Sequence, residues 1–162
     1  MSTTVISHDS ETPAKGQQVF TACAFLHHAF DGVEKLFLPK RAATKKFLPG
    51  VFELPGGHID FGEDLVPGLK REVVEELHKE IAVGDPFAVF TYLNEVKGSH
   101  SIEVIYFAEF VGGIDDITLN PEDHSEARWF TEEELSELID DDETKAMRRG
   151  FALLRGEKLR LS

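Results

Sequence analysis

With 162 residues, the chain has the length of one domain that buries most of its apolar surface. Its 41% hydrophobic and 29% charged residues are ordinary for a water-facing globular protein, and its one cysteine, Cys23, excludes an internal disulfide and any multi-cysteine metal site. A net charge of −13, from 30 acidic against 17 basic residues, argues against general binding to nucleic-acid backbones or anionic membranes, but not against a small anion held through a metal.

Met1 to Gly16 is polar and aperiodic and reads as a flexible arm, leaving residues 17–162 as a single domain. It carries no basic-then-apolar leader, and the apolar run Val19–Leu26 is too short to span a bilayer, so the cytoplasm is the default compartment. Gln18–Phe30 has the apolar density of a buried strand, with Cys23 as a small core residue. His27 and His28 are adjacent in that strand, face opposite ways and cannot easily share a metal. Asp31-Gly32 signals a hairpin, and Val33–Pro39 is the return strand, followed by a loop bearing Lys40, Arg41, Lys45 and Lys46. Val51–Leu54 and His58–Phe61 read as short strands on either side of Pro55-Gly56-Gly57, a turn whose glycines permit close backbone approach.

Leu65, Leu69, Val73 and Leu77 recur every fourth residue and predict an amphipathic helix, with Asp64 as its N-cap and Pro67 in the first turn, where a missing N–H costs little. On its other face Glu72, Glu75 and Glu76 stand at i, i+3 and i+4. Such like-charge pairs oppose the helix by roughly 0.2–0.5 kcal/mol each. Taken alone, the three are a solvated acidic face or a cradle for a hard divalent cation, which takes carboxylate and phosphate oxygens. Farther on, Asp85-Pro86 opens a new segment, and Phe87–Val96 and Ser101–Val111 form a hairpin whose second strand alternates Ile102, Val104, Tyr106, Ala108 and Phe110. Glu126–Phe130 is a last strand. Thr131 and Glu134 make a capping box, and Glu143–Arg155 forms a terminal helix with Met147, Phe151 and Leu154 inward. Strand hairpins, a central helix, more strands and a final helix make an α+β sandwich.

Gly57, five residues, Glu63, seven residues and then Arg71-Glu72-Val73-Val74-Glu75-Glu76 resemble the Nudix box, and Phe52-Glu53-Leu54-Pro55-Gly56-Gly57 resembles the family's usual approach to it. Every charged position of that pattern is filled. It departs at the end, where His78-Lys79 replaces glycine and an aliphatic. Without that glycine the helix is expected to run on through Glu80-Ile81-Ala82 and stop near Gly84.

The resemblance, which extends from about Val19 to Leu138, implies a Nudix-type α/β/α sandwich with a mixed sheet between helices. It also implies a Mg²⁺-dependent hydrolase (Mn²⁺ being a possible substitute) that cuts a nucleoside diphosphate linked to another moiety, with no covalent nucleophile. On that reading Glu72, Glu75 and Glu76 are metal ligands, Gly57 with Gly56 lets the loop fold over the metal, and Arg71 orients the glutamates. Glu63 supports the loop and an outer-shell water beside the substrate, and Arg41 meets substrate phosphate. A late-loop carboxylate completes the catalytic set. Glu122, Asp123 and Glu126 are the candidates, with Glu122 preferred. Phe37, Phe52, Phe90 and Tyr92 are available to stack on a base, although core packing suits most of them better. The substrate stays open among nucleoside triphosphates, ADP-ribose or other nucleotide sugars, and dinucleoside polyphosphates. The partner is a small nucleotide or other diphosphate, and a homodimer is compatible with all of this. Two other readings use the same fold: a non-catalytic nucleotide-binding module, and an isomerase of the isopentenyl diphosphate type, whose cysteine and histidine motifs are not found around Cys23.

Overall fold

A computed structural model of the chain describes residues 13–160. Most of the proposed arm lies outside that range. Ala14 and Gly16 do not behave as an arm, because their N–H groups donate to the carbonyls of Lys97 and Gly98 and Ala14 is buried.

The sheet is built from β1 (Gln18–Phe30), β2 (Val33–Arg41), β3 (Gly56–His58), β4 (Ile81–Asn94), β5 (Ser99–Phe110) and β6 (His124–Phe130), with the helices α1 (Leu65–Leu77) and α2 (Asp142–Leu154). Strand order is β4-β5-β1-β2-β6, and β3 pairs with β1. β1 runs parallel to β5 and antiparallel to β2 and β3, so the sheet is mixed. The period of two along β1 makes the layers. Cys23 and Phe25 enter one apolar cluster with Met147 and Phe151 of α2, while Ala22, Ala24 and Leu26 enter another with Leu69, Val73 and Leu77 of α1. The two helices therefore cover opposite faces, which is the expected sandwich. Phe25 anchors the α2 side with edge-on contacts to Phe87, Phe107 and Phe151.

Several local expectations are corrected. Val51–Leu54 is not a strand, and only Phe52 bridges to Lys40. The strand expected at His58–Phe61 sits earlier, at Gly56–His58. β4 begins at Ile81 and runs through Asp85-Pro86, with register shifts around Pro86 because proline cannot donate to the ladder. Asp64 stands at the N-cap of α1 but its side chain makes no capping bond. The Thr131–Glu134 box does form: the Thr131 N–H and hydroxyl both donate to Glu134, at the start of a 3-10 turn, Glu133–Glu137. Asp141 caps α2 by accepting from the Thr144 N–H at 2.9 Å.

The helix α1 stops at Leu77 instead of running on. His78 adopts the left-handed conformation (φ 54, ψ 39) where the Nudix pattern has glycine, and its N–H donates to Val74 O. A non-glycine residue there costs on the order of 1–2 kcal/mol. Bonds that glycine and an aliphatic could not make offset it. The His78 ring Nδ1 lies 2.9 Å from Thr118 O, and buried Lys79 reaches Asp116 at 2.6 Å and Val111 O at 2.8 Å. No helix among the described residues is long and apolar enough to cross a membrane.

Candidate active site

The glycine turn, α1 and the inner face of β1 and β5 enclose a cleft of about 430 Å³. Its acidic wall comes from α1. Glu72 and Glu76 are both buried, and the Gly56 N–H donates to Glu76 Oε2 at 3.2 Å. Burial first, then the charges of Glu53 and Glu72, push the Glu76 carboxyl well above its ordinary range. Glu75 stands at the cleft edge with its side chain half exposed and 3.3 Å from Arg71. The three glutamates thus share a wall without converging equally, and no group of three His, Cys, Asp or Glu among the described residues forms a ready-made metal cage.

Arg71 is the hub behind that wall. Its Nε and Nη2 donate to the two Glu63 oxygens at 2.8 and 2.9 Å, a bidentate pair, and Nη1 donates to Glu72 at 3.1 Å and Glu75 at 3.3 Å. The Glu63 bond, the largest cause, holds the guanidinium above its already high range. Glu63 is committed to Arg71 and to the Asp60 N–H and does not line the cleft.

Gly57 lies against this set. A Cβ there would stand 2.5 Å from Glu72 Oε2. Its neighbour is a side chain, which can yield where backbone cannot. Gly57→Ala is therefore expected to fold, with a melting shift under about 4 °C, while displacing Glu72 and lowering turnover about 100-fold, as ångström misplacements do. Calorimetry beside a rate assay checks both halves.

Cations line the same cleft. Arg41 is buried, donates from Nε to Phe47 O at 2.8 Å, and meets Glu53 at 3.3 Å. Lys45 is 3.3 Å from Asp123. The preference for Glu122 is corrected: its side chain is exposed and outside the cleft, because its N–H caps on Asn120 Oδ1 and turns the loop so that Asp123 and His124 face inward instead. Glu126 pairs with Lys40, also away from the cleft. Of the aromatic candidates, Phe37 is core, whereas Phe52, Phe90 and Tyr92 line the cleft.

Glu53, Glu103, Glu143 and His124 also line the cleft, and nothing in the sequence assigns them to the site. His124 Nε2 is 2.8 Å from Glu53, and Glu143 accepts from the Leu54 N–H at 2.6 Å. Glu103 was hidden by its own strand. Ile102, Val104 and Tyr106 drew attention to one face of β5, but Ser99, Ser101 and Glu103 on the other are more completely buried. Three polar residues in alternation, Ser99, Ser101 and Glu103, before Ile105 on the same face are the signal that the sequence offers.

Burial, then the charge of Glu53, raises the Glu103 carboxyl from 4.5 to about 8. Its proton is thus kept in the folded state and lost in the unfolded state between those values, so stability falls as pH rises through that window. Glu103→Gln is expected to flatten this slope and add a few kcal/mol at pH 8 and above, with no gain below about pH 4. Urea melts across pH 4–9 measure it.

Together the layers and the cleft define a mixed-sheet α/β/α sandwich carrying a glutamate-lined helix over a glycine turn. The NUDIX domain model matches residues 21–152, and the chain belongs to the Nudix hydrolase family. Among curated relatives, the chain is 31% identical over 96 residues to the NAD-capped RNA hydrolase NudC of Stutzerimonas stutzeri (strain A1501). That match covers 55% of this chain but only 30% of NudC. It is 27% identical over 145 residues to YfcD of Escherichia coli (strain K12), described as an uncharacterized Nudix hydrolase, covering 85% of this chain and 77% of YfcD. Similar solved folds include the MutT protein from Methanosarcina mazei Go1 (TM-score 0.69, 21% identity, 91% of this chain and 99% of that one). A C. elegans Ap4A hydrolase binary complex is another (TM-score 0.70, 24% identity, 86% and 99%).

Proposed function

We propose that the chain is a Mg²⁺-dependent pyrophosphohydrolase that cleaves a nucleoside diphosphate linked to another moiety, with water as the attacking species. The observation that carries this reading is that buried Glu72 and Glu76 line one cleft together with Arg41 and Lys45. The donors fit the metal. Glu72, Glu76 and, at the edge, Glu75 offer the oxygens a hard cation takes, and Gly57 leaves room beside Glu72 that a Cβ would fill. The strain of burying Glu76 among like charges is of the kind a bound cation relieves. When bound, Mg²⁺ or Mn²⁺ neutralises phosphate oxygens and acidifies a water.

The rest falls to this chain's residues. Arg71 and Glu63 hold Glu72 and the glycine turn in place. Arg41 and Lys45 receive phosphate oxygens. Asp123, the late-loop carboxylate facing the cleft, is assigned to take the proton from the attacking water, a contribution of about 10²–10⁴ in rate.

The test is a panel of nucleoside triphosphates, nucleotide sugars and dinucleoside polyphosphates with Mg²⁺, in which a mononucleotide product is expected. Chelation by EDTA should abolish turnover and added Mg²⁺ restore it. A panel with no turnover of any diphosphate compound would sink the hydrolase and leave a binding module on the same fold.

A further inference from the structure

The far floor of the cleft holds a feature that phosphate chemistry does not use. Phe90, Glu103 and Thr21 are register partners across β4, β5 and β1, so their side chains form one row beneath the cleft. Two members of this row are buried and unsatisfied. Glu103 Oε2 and Thr21 Oγ1 reach no hydrogen-bond partner, although both residues are at least nine-tenths buried and line the cleft. Leaving such a group unpaired costs on the order of 1–3 kcal/mol, so a pair of them in residues that line one cleft is a place for a ligand's polar edge. Aromatic surface flanks the row: Phe90 itself, and Tyr92 stacked parallel to Phe47 (rings 11° apart).

We propose that this row is a nucleobase pocket selective for bases with an amidine edge, a ring-nitrogen acceptor beside an exocyclic amino donor, as in adenine and cytosine. The neutral carboxylic acid of Glu103 supplies the matching pair, an O–H to the ring nitrogen and a C=O to the amino group. Thr21 Oγ accepts or donates beside it, and Phe90 and Tyr92 lie against the ring face, where stacking is insensitive to base identity. Guanine and uracil reverse the donor and the acceptor, and meeting them would move the acid's proton from the unpartnered Oε2 onto the oxygen to which Cys23 already donates, making that oxygen a poorer acceptor for the thiol. The surroundings keep the acid neutral. Burial does so first, then the negative charges of Glu53 and Asp141, against the hydrogen bond that Cys23 on β1 donates, which favours the ionised form; the Glu143 carboxyl and, on β4, the Tyr92 hydroxyl are raised by burial as well. A metal would require the same carboxyl to ionise in a buried, aromatic corner, which burial disfavours.

This inference rests on the nucleotide-hydrolase reading but is tested apart from turnover. Binding of AMP, CMP, GMP and UMP is measured by calorimetry in magnesium buffer for the wild type, Glu103→Gln and Glu103→Leu. The wild type should prefer AMP and CMP at least about tenfold, the scale of one good bidentate base contact. Glu103→Gln keeps one donor and one acceptor and should keep the preference, whereas Glu103→Leu should lose it. Above about pH 9 the wild-type preference should fade as Glu103 ionises, and that of Glu103→Gln should not. Equal affinities, a GMP preference, no binding of any monophosphate, or a preference unchanged in Glu103→Leu would each overturn the pocket. Turnover of the substrate panel in any of those cases would leave the hydrolase standing.

Discussion

Glu76→Gln is expected to lower kcat by more than about 100-fold while the protein melts no lower than the wild type. Loss of a residue one shell removed from a metal already costs 10–100-fold, and Glu76 is assigned to touch the metal itself. The fold should not suffer. Glutamine fills the same space and its carbonyl can still accept the Gly56 N–H. The sign of the stability change follows from the raised pKa. Below about pH 4.5 the carboxyl is neutral in both states and the variant matches the wild type. As pH rises, the unfolded wild type gains by ionising while burial and the charges of Glu53 and Glu72 resist ionisation in the folded state, so the wild type loses stability that glutamine keeps. The same substitution should shrink the rise in melting temperature that Mg²⁺ confers, because a ligand that binds only the folded state stabilises in proportion to its affinity. Near-normal turnover, or an undiminished Mg²⁺ shift, would remove Glu76 from the metal site.

Gly56→Ala is expected to fail in the opposite way, by not folding. Gly56 has φ +146, a region L side chains rarely adopt, and a Cβ there would run into the Ala22 carbonyl and lie 2.8 Å from Cys23 Cα. Those atoms are backbone of β1, the strand that pairs with β2, β3 and β5, so neither side can give way. A cost of at least about 4 kcal/mol, a large part of a domain's stability, should appear as insoluble expression or a lost cooperative melt. The contrast with Gly57→Ala is the informative part. The two glycines are adjacent, but one faces strand backbone and the other a carboxylate, so one substitution should abolish the fold and the other mainly the rate. Cooperative unfolding of Gly56→Ala near the wild-type midpoint would contradict this account of the turn.

Much of the architecture was legible because it is written in local periods. The four-residue recurrence of Leu65, Leu69, Val73 and Leu77 and the apolar density of Gln18–Phe30 specify a helix and a strand through side-chain burial alone. Where local rules misled, a distant partner decided. The absence of glycine at position 78 suggested a longer helix, but Thr118 O, Asp116 and Val111 O, all from a segment after β5, stabilise the stop. Asp64 is a good capping residue by type, but its side chain makes no capping bond.

The division in the candidate site has the same cause. Spacing along one helix was enough to set Glu72, Glu75 and Glu76 on a common side and Arg71 beside them, because 3.6 residues per turn needs no knowledge of the rest of the chain. Which of those carboxylates is buried, that Asp123 and not Glu122 faces the cleft, and that Glu103 and Thr21 meet across β5 and β1 depend on how segments far apart in the chain are brought together. Sheet pairing joins residues with no fixed separation, and the burial that tunes a carboxyl is a property of everything packed around it. The sequence by itself therefore determined the family and the acidic helix, while the tertiary structure alone decided which side chains share the cleft.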